Sequence, residues 1–113
     1  MKSVEWAAGL FEGEGCITVQ AKPLRSGIRA YPALSLNMTD EEPVRWFAEV
    51  FEGLGAHVYG PYQDSSNRNK KPQWAWRACG AKCLPIMALL FEHLGPRRQA
   101  RWLEVLSMYE EER

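Results

Sequence analysis

Trp6-Ala7-Ala8-Gly9-Leu10-Phe11-Glu12-Gly13-Glu14-Gly15 starts as an apolar helix and ends in two carboxylates threaded between glycines. Val4, Ala7, Ala8 and Phe11 follow the i, i+3, i+4, i+7 spacing of a buried helix face, and Trp6 and Leu10 add a second apolar stripe. A helix apolar on two sides needs two partners. Gly9 and Gly13 stack on one face at a cost in helix propensity, which makes sense where another backbone packs closely. Glu14 then emerges at the helix tip between Gly13 and Gly15, where open carbonyls and a carboxylate offer the hard oxygen ligands that suit Mg²⁺. On spacing alone, the stretch also reads as a core helix ended by a glycine C-cap with Glu12 and Glu14 solvated.

Composition sets the frame around this helix. The chain has 113 residues, 46% hydrophobic with five Trp, which is enough to build the core of one domain over residues 1–113. It contains neither an apolar run of membrane length nor a signal-peptide pattern, so an intracellular protein with no membrane partner is expected. Cys16, Cys79 and Cys83 form no paired framework, and His57 and His93 are isolated. Reduced structural thiols fit better than zinc, because Cys79-x3-Cys83 without a nearby His is a weak metal pattern. The shortage of His also speaks against nucleases that use a histidine base.

The first helix is read over Val4 to Glu12 and is followed by a strand from Ile17 to Lys22. A loop through Pro23, Ser26 and Gly27 leads to a second strand over Ala30 to Met38. Thr18, Gln20 and Lys22, and then Tyr31, Ala33, Ser35 and Asn37, alternate with apolar residues, so one side of each strand is polar or aromatic. Thr39 or Asp40 starts a second helix whose stripe of Val44, Phe47, Ala48, Phe51 and Leu54 runs to Gly55. His57 to Tyr62, broken by Gly60-Pro61, reads as an edge or bent strand. A polar, basic loop from Asp64 to Pro72 precedes a fourth strand to Cys79, in which Trp74 and Trp76 are read as core. Cys83 to Leu94 and Arg97 to Glu111 complete the helices. The order αββαββαα has no Gly-rich phosphate turn, which excludes nucleotide-cofactor folds and gives an α+β layer: a four-stranded antiparallel or mixed sheet with helices on one face.

Formal net charge is zero, yet the charges are segregated. Lys22, Arg25 and Arg29 are the only charges between Cys16 and Thr39, and Arg68, Lys70, Lys71, Arg77 and Lys82 outweigh Asp64 between Gly60 and Phe91. The acids gather in Asp40, Glu41, Glu42, Glu49 and Glu52 and in the tail. Basic strands and acidic helices give the sheet one face for phosphates. An open four-stranded ribbon of this kind is wide enough for the major groove of double-stranded DNA.

Ala7 to Gly15, AAGLFEGEG, resembles the LAGLIDADG motif of homing endonucleases, with glycine replacing the penultimate alanine and glutamate replacing both aspartates. The following CITVQAK, YPALSLNMT and TDEEPVRWFAEVFEGLGAHV are similar to the strand, strand, helix, Leu-Gly turn and strand of the single-motif, homodimeric group. The likeness covers most of the chain, though only the motif and the RWF...LG segment are specific.

The resemblance implies a saddle-shaped sheet over DNA, with Thr18, Gln20, Lys22, Tyr31, Ser35, Asn37, Tyr62, Gln73 and Arg77 toward the groove. Arg25, Arg29, Arg68, Lys70 and Lys71 join that DNA-binding set, the last three on phosphates. It also implies a homodimer in which two first helices pack through Ala8, Gly9, Phe11, Glu12 and Gly13. Glu14 and the Gly13 carbonyl would then hold Mg²⁺ or another divalent cation at each scissile phosphate of a long pseudo-palindromic site. Asp40 occupies the place of the residue that orders the water. The lysine that the family commonly shows three residues before a glutamine is missing ahead of Gln99, leaving Arg97 or Arg98 as its substitute. The activity implied is Mg²⁺-dependent double-strand cleavage. The alternatives are a non-cleaving binder on the same fold, as an intron RNA maturase or transcription regulator, and a small interaction domain unrelated to nucleic acid.

Overall fold

Ser3 opens the first helix by accepting the Trp6 N–H at 3.1 Å, and α1 runs Val4–Glu14 in this computed structural model, which describes residues 1–63 and 71–112. The helix is two residues longer than its apolar stripe predicts and takes Gly13 and Glu14 into its last turn. Gly15 then turns directly into β1 with an extended backbone, and its N–H caps Phe11 O. A side chain at Gly15 would meet the Phe11 ring at 2.3 Å, so glycine is required here by close approach.

β1 (Gly15–Leu24) and β2 (Gly27–Met38) form a hairpin, followed by α2 (Glu41–Val50), β3 (His57–Tyr62), β4 (Gln73–Cys79), α3 (Cys83–Leu90) and α4 (Pro96–Glu112). The expected loop after Lys22 is mostly strand. Pairing continues to Leu24 opposite Gly27 and leaves a two-residue turn at Arg25 and Ser26, with Gly27 at φ +132°. Pro23 is tolerated because β1 lies at an edge of the sheet. Central β2 tolerates Pro32 because its ladder with β4 begins one residue later, at Ala33–Cys79. α2 and α3 stop short of Gly55 and Leu94, and single turns finish both segments. Pro96 opens α4, where a missing N–H costs nothing.

The strands lie in the order β1-β2-β4-β3 and every neighbouring pair is antiparallel, so the sheet is not mixed. β3 is the other edge, as its Gly-Pro break predicts. Ile17, Leu34, Leu36, Trp76 and Ala78 point to one side and pack with Ala7, Ala8, Phe11, Val44, Phe47, Ile86, Leu90, Trp102 and Val105 from the four helices. Phe47 stands edge-on to Trp76 at 4.7 Å and stacks on Phe11 at 6.2 Å, which joins sheet, α2 and α1 in one aromatic centre. The result is an α+β layer with all helices against one face. Trp76 is fully buried and Trp74 half-buried on that same side, as a core reading of the two requires.

Candidate nucleic-acid interface and helix tip

Register fixes what the uncovered face carries, because residues paired across an antiparallel ladder point the same way. Thr18, Gln20 and Lys22 pair with Ala33, Tyr31 and Arg29, and Ser35 and Asn37 pair with Arg77 and Ala75. His57, Tyr59 and Tyr62 pair with Arg77, Ala75 and Gln73. All nine residues expected toward a groove therefore share one face, and Arg29 joins them. The strands contain Lys22, Arg29 and Arg77 and not one Asp or Glu. Tyr62 Oη lies 2.9 Å from Asn37 Oδ1 and 3.3 Å from Gln73 Oε1, so three residues expected toward the groove already contact one another. The Thr18 hydroxyl donates across the ladder to Ala33 O at 3.4 Å, which spends its proton but leaves its lone pairs.

A concavity of about 670 Å³ opens on this face over the β4–β3 edge, and Gln20, His57, Tyr59, Tyr62, Arg77 and Lys82 line it. His57, Tyr59 and Lys82 were not anticipated. Applying the strand alternation to His57 and Tyr59 would have found the first two, because they stand two residues apart opposite Arg77 and Ala75. Arg25 is at the tip of the hairpin, and Lys71 is exposed just before β4. Arg68 and Lys70 lie outside the described residues.

Glu14 ends α1 exposed, and no described side chain bonds to it. Gly9 and Gly13 are exposed on the same helix, and an added Cβ at either would have nothing within 4 Å. Packing inside this chain does not require glycine there. Ala8 and Phe11, expected in a seam between copies, are instead fully buried among this chain's own strands and helices, so they present no surface to a second chain. Glu12 is also committed elsewhere: one carboxylate oxygen accepts the Gly95 N–H ahead of α4 and the other takes Arg98 Nε at 2.7 Å. What α1 offers outward is Gly9 and Gly13, with Trp6 and Leu10 partly exposed.

Of the two arginines considered as substitutes for the missing lysine, Arg98 is bound to Glu12 and to the Gly15 carbonyl at 2.8 Å, so it is not a free cation. Arg97 is exposed. It shares a depression of about 380 Å³ with Glu12, Cys16, Ile17, Arg98 and Arg101. Arg101, which was not anticipated, donates to Ile17 O at 3.2 Å and pairs with Glu104. Asp40 is the N-cap of α2, yet its side chain makes no capping bond and stays exposed. Val44, one turn on, is core, and Arg45 pairs with Glu41 at 3.2 Å and lies over Trp74. Among the described residues no group of three His, Cys, Asp or Glu could hold a metal. A carboxylate and a glycine carbonyl at one helix tip are nevertheless the hard, oxygen-only donors that Mg²⁺ or Ca²⁺ takes, so Glu14 and Gly13 fit such an ion as a partial set.

Among solved structures, the homing endonuclease I-CvuI in complex with its target in the presence of calcium superposes with a TM-score of 0.73 at 16% identity, covering 96% of this chain and 66% of that one. This is the LAGLIDADG homing endonuclease fold. The LAGLIDADG meganuclease I-CpaMI bound to uncleaved DNA matches with a TM-score of 0.71 at 14% identity, over 95% of this chain and 37% of its own. The homing endonuclease I-TnaI matches at 0.65 and 18% identity, over 95% and 70%. The chain thus spans slightly under two thirds of I-CvuI and little more than one third of I-CpaMI. No family model and no curated protein matches it. In LAGLIDADG terms, the motif helix is α1 and the uncovered face is that of β1 to β4. No helix among the described residues is long and apolar enough to cross a membrane.

Proposed function

We propose that this chain is a single-motif LAGLIDADG endonuclease that binds double-stranded DNA with its open sheet face and cuts it as a homodimer. One observation carries the reading. An unpaired carboxylate, Glu14, ends a helix whose exposed glycines serve nothing inside the chain, and that helix leads straight into a sheet face free of acids. Two copies of α1 meeting at Gly9 and Gly13 bring two Glu14 side chains toward one axis, and each copy covers half of a pseudo-palindromic site. The DNA-bound neighbours of the same fold support the choice of duplex DNA as partner.

Glu14 and the Gly13 carbonyl would hold a divalent cation, which when bound activates water and stabilises charge on the leaving oxygen. Asp40, with its carboxylate unused by its own helix, would orient the water. Arg97, exposed beside the α1–β1 junction, would hold phosphate oxygens there, while Arg101 is taken up by Ile17 O and Glu104. Gln20, Asn37 and Gln73 have the amide edges that pair with adenine, and Lys22 and Arg77 the donors that pair with guanine.

The test is selection of cleaved duplexes from a randomised library with Mg²⁺, followed by Glu14→Gln on the selected site. Cleavage should fall by at least about 10²-fold with binding retained, on the scale expected when a charge-stabilising group is lost. Absence of any cut duplex, with binding indifferent to metal and to Glu14, would instead establish the second reading, a non-cleaving binder. The engagement of Arg98 by Glu12, where a free basic group was expected, favours that alternative.

A further inference from the structure

Arg98 spans the junction at which α1 becomes β1. Its Nε lies 2.7 Å from Glu12 Oε2 and 3.1 Å from Glu12 O, its Nη1 lies 2.8 Å from Gly15 O, and the guanidinium rests 5.7 Å from the centre of the Phe11 ring. The other Glu12 oxygen accepts the Gly95 N–H, so the pair also ties α1 to the start of α4. A helix end leaves carbonyls without partners. Here the Gly15 N–H takes Phe11 O and Arg98 takes Glu12 O, while no described group takes the Gly13 carbonyl beside the Glu14 side chain.

We propose that Glu12 and Arg98 are a positioning clamp: they hold the carbonyls on either side of the Gly13-Glu14 step so that the Gly13 carbonyl and the Glu14 carboxylate present together to a divalent cation. This rests on the endonuclease reading and assigns Arg98 to positioning, not to the reacting phosphate. Two properties of the pair matter. The guanidinium fork is planar and fixed, so one side chain reaches two backbone oxygens and a carboxylate, which a lysine ammonium on a flexible stem does not reproduce. Glu12 also neutralises Arg98, so a guanidinium near Glu14 does not repel the cation. A side chain added at Gly95 would meet Glu12 Oε1 at 2.8 Å, so the α4 end of the clamp is built tightly around the carboxylate.

The experiment compares wild type with Arg98→Lys, which keeps the charge and loses the fork, and with Glu12→Gln, which keeps the shape and loses the charge. Glu14→Gln is the baseline. Amide hydrogen exchange across residues 12–16 is measured without metal, and Mn²⁺ binding is read as loss of the free-ion EPR signal. Both clamp variants should exchange faster at these amides, and Mn²⁺ affinity should drop by about tenfold or more, the usual effect of losing a group that orients a metal ligand. Exchange elsewhere in the sheet should stay as in wild type, which a general loss of structure would not allow. Wild-type exchange at the junction, or wild-type Mn²⁺ affinity in Glu12→Gln, overturns the clamp. If wild type binds Mn²⁺ no better than Glu14→Gln, the cation reading itself fails and the proposal falls with it. Unaltered Mn²⁺ binding in the clamp variants would remove the proposal alone.

Discussion

Glycines at three positions of the motif have two different physical meanings. Gly15 is forced by the Phe11 ring, whereas Gly9 and Gly13 meet nothing within the chain and so carry only the cost of a flexible backbone. Gly9→Ala should therefore stabilise the isolated monomer by roughly 0.5–1 kcal/mol. In the same variant, self-association through this face should weaken. Thermal denaturation paired with sedimentation at increasing concentration separates the two effects, and a stabilised variant that still associates like wild type would remove Gly9 from the interface. The cysteines divide in a similar way. Burial, helped by the nearby Cys79 and opposed by a backbone bond from Leu34, pushes the Cys83 thiol up from 9.0 to about 12, while Cys16 and Cys79 are exposed. Cys83 should resist alkylation in the native protein at pH 8 as the other two react, as mass spectrometry would read. Because its folded value is the higher, the contribution of Cys83 to stability is complete below pH 9 and declines as pH rises from there toward about 12.

At the scale of elements, the sheet has one face for folding and one left over. Trp76 anchors the folded face, buried to 1% exposure against Phe47 and Phe51. Trp76→Ala should cost about 3–5 kcal/mol, a large part of the 5–15 kcal/mol typical of a whole domain. A urea midpoint within error of wild type would contradict that packing. The polar face is pre-assembled by the Tyr62, Asn37 and Gln73 contacts, which limit the freedom those side chains lose on meeting a ligand. Helix α1 connects the two faces: its buried stripe belongs to the core, and its tip opens beside the first strand.

For the whole molecule, a net charge of zero conceals a separation of sign. Equal numbers of basic and acidic residues, 14 of each, are distributed so that the strands hold none of the acids. If the open face meets DNA, log affinity should fall linearly with log salt, by about 0.9 for each phosphate neutralised. Arg29→Ala or Lys22→Ala should lower that slope by about one when the side chain meets phosphate. Arg77→Ala should leave the slope and relax base preference when it meets a base edge. Filter-binding across a salt series reads the first, and sequencing of selected duplexes the second. Affinity independent of salt would argue against the interface as a whole.

The order of elements, the apolar side of each strand and the edge position of β3 were legible in the chain, because alternation at two and 3.6 residues and the placement of Pro and Gly are local properties. The motif helix was legible for the same reason, and so was the acid at its end. The inward stripe of Ala7, Ala8 and Phe11 was legible too, but which residues of α1 stay free for a second chain was not. Ala8, Phe11 and Glu12 looked like seam residues, yet Phe11 lies under the sheet and Glu12 is held by Gly95 and Arg98, more than eighty positions away in the chain. No local pattern encodes such a partner. The bearing of Arg98 toward the helix tip, the grouping of His57 and Tyr59 with Arg77, and the freedom of Gly9 and Gly13 were decided only when distant segments packed, since burial and ion pairing depend on what the fold brings alongside.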